Sequence, residues 1–146
     1  MSERTGQHGS TTMQKLDPAQ CLERLGAATV GRVGYVSPRG LQIVPVNYRL
    51  AGSTLMLATM PGSSLAQLGE MGGHVAFEVD YHGQNFEVAW SVLMHGTVRQ
   101  LDDAGRQRLA DLRRPLLSWL GESATLHLEF VPEDFSGRVL QNRAPR

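Results

Sequence analysis

The chain has one cysteine, one lysine and no net charge. Cys21 alone excludes an internal disulfide framework and any cysteine-based metal motif. The histidines, His8, His74, His82, His95 and His127, are scattered and have no partner at ligand spacing, so no metal site is expected. Lys15 is the only lysine, so no lysine anchor for an anion exists beyond that position. Fourteen basic residues balance fourteen acidic ones, which leaves no electrostatic case for nucleic acid or an anionic membrane as partner. No apolar run is long enough to cross a bilayer, and the N-terminus lacks a signal-type apolar segment. With a free cysteine, these absences lead us to expect a cytoplasmic protein. G-x-S-x-G, G-x-G-x-x-G and Walker motifs are absent, as is the βαβ alternation of a Rossmann fold.

What is present is ordinary globular material: 146 residues, 41% hydrophobic and 19% charged, enough for one core. Residues 1–14 are polar and small and read as a disordered leader, leaving a single domain over 15–146. Asp17 and Pro18 announce a short helix that carries Leu16, Cys21, Leu22 and Leu25 on one stripe and stops at Gly26. Two strands follow over 29–37 and 41–50, joined by "SPRG". The second puts Val44, Val46 and Tyr48 on one face and Ile43, Pro45, Asn47 and Arg49 on the other. Pro45 has no N–H to give, so an edge, bulge or bend is expected there. A third strand, "TLMLAT", leads through "MPGSS" into a helix near Ser63–Met71, closed by Gly72 and Gly73. A fourth strand covers 74–81 and a long fifth covers 86–101, with Gly96 marking a bulge. A helix over 102–120 is expected to kink or restart at Pro115. The sixth strand covers 125–132, and "GRVLQ" continues it after a break. The reading is mainly β with short helices: a six-stranded antiparallel barrel.

Three stretches carry candidate chemistry. In "TMPGSSL", Thr59, Ser63 and Ser64 surround a strand-to-helix turn. The hydroxyls either cap the helix, the commoner use, or join its free N–H groups in holding a phosphate. In "PVNY", Asn47 offers a donor and an acceptor among apolar neighbours and meets either backbone or ligand. In "AWSV", Trp90 packs in the core or edges a planar ligand. No side chain stands out as a catalytic acid or base.

In this order, "GRVGYV", "PVNY", "TMPGSSL", "VAFEVD" and "AWSV" resemble the pyridoxamine 5'-phosphate oxidase-like, FMN-binding split-barrel family. The match runs from about Leu16 to Leu101 and returns at Ser136–Leu140. The resemblance implies a six-stranded antiparallel split β-barrel and a homodimer with FMN at its interface. Val46, Asn47 and Tyr48 would lie along the isoalloxazine ring. Thr59, Ser63 and Ser64 would meet the ribityl phosphate, and Trp90 and Ser91 would approach from the partner subunit. It further implies an oxidoreductase acting on an unnamed small molecule. The deazaflavin coenzyme, factor 420, is the alternative cofactor, and a non-catalytic flavin-binding or degenerate module is the alternative function. Similar proteins read Arg-Thr at the strand end and Gly-x-Lys in the turn. Here those positions hold Ala58-Thr59 and Gly62-Ser63-Ser64, so two positive charges are missing beside the phosphate. Arg32, Arg49 and Arg138 are candidate substitutes. No basic cluster for a substrate's own phosphate is evident in the sequence, which argues against vitamin B6 oxidation.

Overall fold

The computed structural model describes residues 10–117 and 125–142. Seven strands form one antiparallel sheet: β1 (Thr11–Leu16), β2 (Val30–Ser37), β3 (Gly40–Ala51), β4 (Thr54–Thr59), β5 (His74–His82), β6 (Val88–Gln100) and β7 (Leu126–Asn142). Three helices interrupt them: α1 (Pro18–Gly26), α2 (Ser64–Glu70) and α3 (Asp103–Ala110).

The sheet runs β1-β7-β4-β3-β2-β5-β6, and β6 pairs back to β7. Six strands therefore close a ring, the split barrel expected from the sequence, and β1 lies outside it. β7 makes this arrangement possible. One of its edges carries β6 throughout; the other carries β4 along 126–130 and then β1 along 137–142. The β2–β5 seam is the narrowest, with only Arg32, Val33 and Gly34 in register with Glu78, Phe77 and Ala76.

The alternation in β3 is as expected: Val46 and Tyr48 are buried, while Ile43 and Pro45 face out. β4 begins to pair only at Asn47, so Pro45 sits on a free edge where its missing N–H costs nothing. The bulge falls between His95 and Gly96. A Cβ at Gly96 would collide with the Val131 carbonyl oxygen, so glycine is what lets β6 and β7 approach there. Asp17 caps α1 reciprocally with Gln20, forming a capping box.

Three expectations are revised. Thr11–Gln14, read as leader, belong to β1 and pair with Val139–Asn142; residues 1–9 lie outside the described residues. α3 ends at Ala110, with Asp111 as its C-cap, rather than running on to a kink or restart at Pro115; Pro115 has no N–H to give the Asp111 carbonyl one turn back. The end of that expected helix, from residue 118, lies outside the described residues. Finally, β7 is continuous, with no break before "GRVLQ".

The ring is filled by Tyr48, Leu55, Leu57, Phe77, Met94, Leu128 and Phe130, all fully buried. Phe77 stands edge-on to Tyr48 at 5.6 Å and stacks on Phe130 at 5.3 Å. Each such side chain contributes roughly 1.5–3 kcal/mol through burial, so the ring interior holds the fold and the helices serve as plugs and corners.

Candidate functional site

The turn after β4 is built from its own hydroxyls. Gly62 takes φ +79°, a left-handed value that suits glycine, and brings Ser63 back over the strand end. Ser63 is the N-cap of α2: its Oγ accepts from the Ala66 N–H at 3.1 Å. Thr59 Oγ1 lies 3.1 Å from Ser63 Oγ, tying strand end to helix start. Ser64 Oγ meets the Tyr35 hydroxyl at 2.7 Å, which ties α2 to β2. Leu65, Ala66 and Gly69 bury the inner side of α2. The structure thus gathers Thr59, Ser63 and Ser64, and it gives Ser63 the capping role.

Asn47 is one step away. It stands opposite Ala58 on β4 and Val30 on β2, so its side chain neighbours the end of β4. It is half-buried, and among the described residues its amide has no hydrogen-bond partner. A cavity of about 520 Å³ opens in front of it, walled by Thr29, Val30, Arg49, Leu116 and Leu117. An unpaired amide among apolar walls suits a flat ligand with a polar edge. Val46 is buried beside it. Tyr48 lines the same cavity, but its ring is fully buried and its hydroxyl donates to the Leu25 carbonyl at 2.7 Å. Burial pushes that phenol's pKa well above its ordinary value. Any part Tyr48 plays toward a ligand therefore falls to its backbone.

The structure assembles a basic cleft around arginines that the sequence motifs did not single out. Arg49, Arg108, Arg113 and Arg114 border a cavity of about 720 Å³ between the end of α1 and the segment after α3, with Asp111 as the acid among them. Arg49 belongs to both this cleft and the Asn47 cavity, and its Nε donates to the Pro115 carbonyl at 3.2 Å. Glu129, fully buried on β7, fixes the cleft's wall. Its Oε1 accepts from Arg99 Nη2 at 2.7 Å and Arg108 Nη2 at 3.0 Å; its Oε2 accepts from Thr54 at 2.8 Å and Arg108 Nε at 2.9 Å. Burial pushes the Glu129 carboxyl up, but the hydrogen bonds from Arg99, Thr54 and Arg108 prevail and hold it below its usual range. Arg108, Arg113 and Arg114 fall within seven residues, a basic clustering that the sequence does display; what it does not display is that Arg49 on β3 joins them.

Trp90 and Ser91 lie elsewhere. Along β7, Thr59 stands opposite Leu126 and Trp90 opposite Val139, which at about 3.3 Å per residue is about 40 Å of strand. Trp90 is buried and stacks on Tyr81 at 6.3 Å. Ser91 faces outward between Asp80 and Arg138. Within one chain the structure does not bring this pair to the turn.

The candidate substitute arginines are placed as follows. Arg32 is committed to Glu78 and Asp80, both at 3.4 Å. Arg49 faces the basic cleft. Arg138 stands opposite Lys15 on β1. Burial and the adjacent Asp80 carboxyl raise Glu78 to about 7 despite Arg32.

The fold has close counterparts. A FAD-binding protein from Mesorhizobium loti superposes with a TM-score of 0.72 at 24% identity, covering 91% of this chain and all, 100%, of that one. A FAD-binding protein from Mycobacterium smegmatis gives 0.70 at 24% identity, covering 87% and 97%. A conserved protein of unknown function from Corynebacterium diphtheriae gives 0.65 at 27% identity, covering 90% and 98%. No curated protein matches the chain. The family profile described as Pyridoxamine 5'-phosphate oxidase matches residues 17–139, most of the chain. A closed six-stranded ring, the ordered motifs on it and this match make the chain a member of the pyridoxamine 5'-phosphate oxidase family.

Proposed function

We propose that this protein is a flavin-binding oxidoreductase that holds FMN at a homodimer interface and acts on a small anionic molecule. The observation that carries the reading is Asn47: an unpartnered, half-buried amide at the mouth of a cavity, on a strand whose neighbour ends in the Thr59–Ser63–Ser64 turn. The FAD-binding relatives of the same fold support it.

The residues present fit a flavin. Asn47 would hold the polar edge of the ring, and Val46 and the Tyr48 backbone would lie along it. Thr59, Ser63 and Ser64 would hold the phosphate. Trp90 and Ser91 would come from the second copy, because β7 keeps them far from the turn of their own chain. When bound, the flavin supplies the hydride and electron chemistry; the chain binds, orients and excludes water. The basic cleft, joined to the Asn47 cavity through Arg49, would take the substrate's charge. A second copy has a ready surface: Val36, Leu41 and Ile43 are 69%, 83% and 74% exposed around an apolar groove of about 530 Å³.

Factor 420 is the second reading. The cleft favours it, since a longer phosphate-containing tail leaving the ring cavity would meet four arginines. The absorption spectrum of the purified protein, followed by titration of both cofactors against tryptophan fluorescence, separates the readings. Micromolar binding of FMN is expected. A clear preference for the deazaflavin would move the assignment to it, and binding of neither would overturn both.

No helix among the described residues is long and apolar enough to cross a membrane. We place the protein in the cytoplasm on the free, buried Cys21.

A further inference from the structure

Glu129 does more to the basic cleft than hold its wall. It takes the Nε and Nη2 side of Arg108, and Nη1 has no partner among the described residues. Arg49 is anchored in a similar way: its Nε is spent on the Pro115 carbonyl, and both of its Nη groups are unpartnered among the described residues. Both residues are half-buried, and both line the cleft of about 720 Å³. A guanidinium only donates and keeps its charge at any physiological pH. In each of these two, the edge left over is the Nη1–Nη2 edge, whose parallel N–H bonds match the two oxygens of a carboxylate. Exposed Arg113 and Arg114 line the same space, with no hydrogen bond or ion pair among the described residues. Asp111 is the only acid among the described residues that line it, and Gln107 Nε2 holds one of its oxygens at 2.9 Å. A chain with no net charge thus concentrates unneutralised, donor-only groups in one cavity.

We propose that this cleft binds a dicarboxylate, with Arg49 and Arg108 each taking one carboxylate on its free edge. The two forks come from different elements, Arg49 from β3 and Arg108 from α3, so they suit charges at two points of one molecule. A cavity of this size takes a whole small molecule rather than a lone inorganic anion. Burying the Glu129 carboxylate is costly, and it orients Arg108 before any ligand arrives, which lowers the ordering cost of binding. That the dicarboxylate is the substrate rests on the function proposed above; the anion site itself does not.

Succinate, acetate and inorganic phosphate are titrated onto the full chain at constant ionic strength, with chloride as the reference salt. The Nε–H signals of Arg49 and Arg108 are followed by NMR. Succinate is expected to shift both and to bind about tenfold more tightly than acetate or phosphate. Arg49→Gln is expected to weaken succinate about tenfold, read from Arg108, and Arg49→Lys, which keeps the charge but loses the fork, nearly as much. Arg113→Gln with Arg114→Gln should weaken it about threefold through lost attraction. That pair is exposed, so it tests the site even if Arg49 is needed for folding. Acetate binding as tightly as succinate, phosphate binding more tightly, shifts that chloride reproduces, or variants that bind as the wild type does would each overturn the proposal. FMN is titrated separately on the same samples. Succinate binding without flavin binding would uphold the anion site and overturn the flavin reading; flavin binding without a succinate shift would do the reverse.

Discussion

Single side chains here often serve two structures at once. Tyr48 sits within "PVNY", yet its phenol belongs to the core, where it satisfies the Leu25 carbonyl at the end of α1. Tyr48→Phe is therefore expected to cost about 1 kcal/mol of stability, measured by urea unfolding, and to leave flavin affinity unchanged. A matching loss of flavin affinity would mean that the hydroxyl reaches the ligand. Glu78 carries a different liability. Its carboxyl is raised from 4.5 to about 7, so the folded state prefers it protonated. The stability linked to this group is fully present below pH 4.5 and is lost as pH rises through about 7. Glu78→Gln should flatten the thermal-stability profile across that window and raise the melting temperature above it; an unchanged profile would clear Glu78 of the effect.

Among the elements, those with strong periodicity or punctuation were legible in the sequence. The capped α1, the alternation of β3, the edge at Pro45 and the bulge at Gly96 all stand where residue chemistry puts them. β1 was not legible, because Thr11–Gln14 carry a single apolar side chain, Met13, and become a strand only through β7. The length of α3 was overread, since Leu109, Leu112 and Leu116 keep helical spacing past Ala110, where the helix ends. In the site, the turn hydroxyls were legible from local sequence. The basic cleft was legible only in part: Arg108, Arg113 and Arg114 stand close together in the chain, but Arg49 joins them from β3 through the fold alone. The join between α3 and the ring has one hub. Glu129→Gln would leave Arg99 and Arg108 without their shared anion and is expected to cost about 3 kcal/mol. The lowered Glu129 carboxyl implies that this contribution is present above the ordinary carboxyl range and lost as acid titrates the folded group, so the variant's deficit should vanish at low pH. A Gly96→Ala variant tests the bulge. Its Cβ meets backbone, which cannot swing aside, so a loss of about 2 kcal/mol or more is expected in denaturant unfolding.

At the scale of the molecule, the proposed dimer makes a simple demand. The 16.0 kDa chain should elute at twice that mass, and Ile43→Asp with Leu41→Asp should yield monomers with weakened flavin binding. Monomers that still bind FMN at full strength would show that the second copy contributes nothing to the site. The 17-residue β7 also governs the order in which the molecule is made. It is the partner of β4, β6 and β1, and it pairs Thr11 with Asn142. During synthesis the edges of β1, β4 and β6 wait for a segment made after all three, so the nascent chain holds an open, unsealed sheet until β7 has emerged. Such long-range closure puts folding on the order of milliseconds to seconds. It also makes truncation within β7 a sharper threat to the protein in the cell than the loss of any single side chain in the cleft.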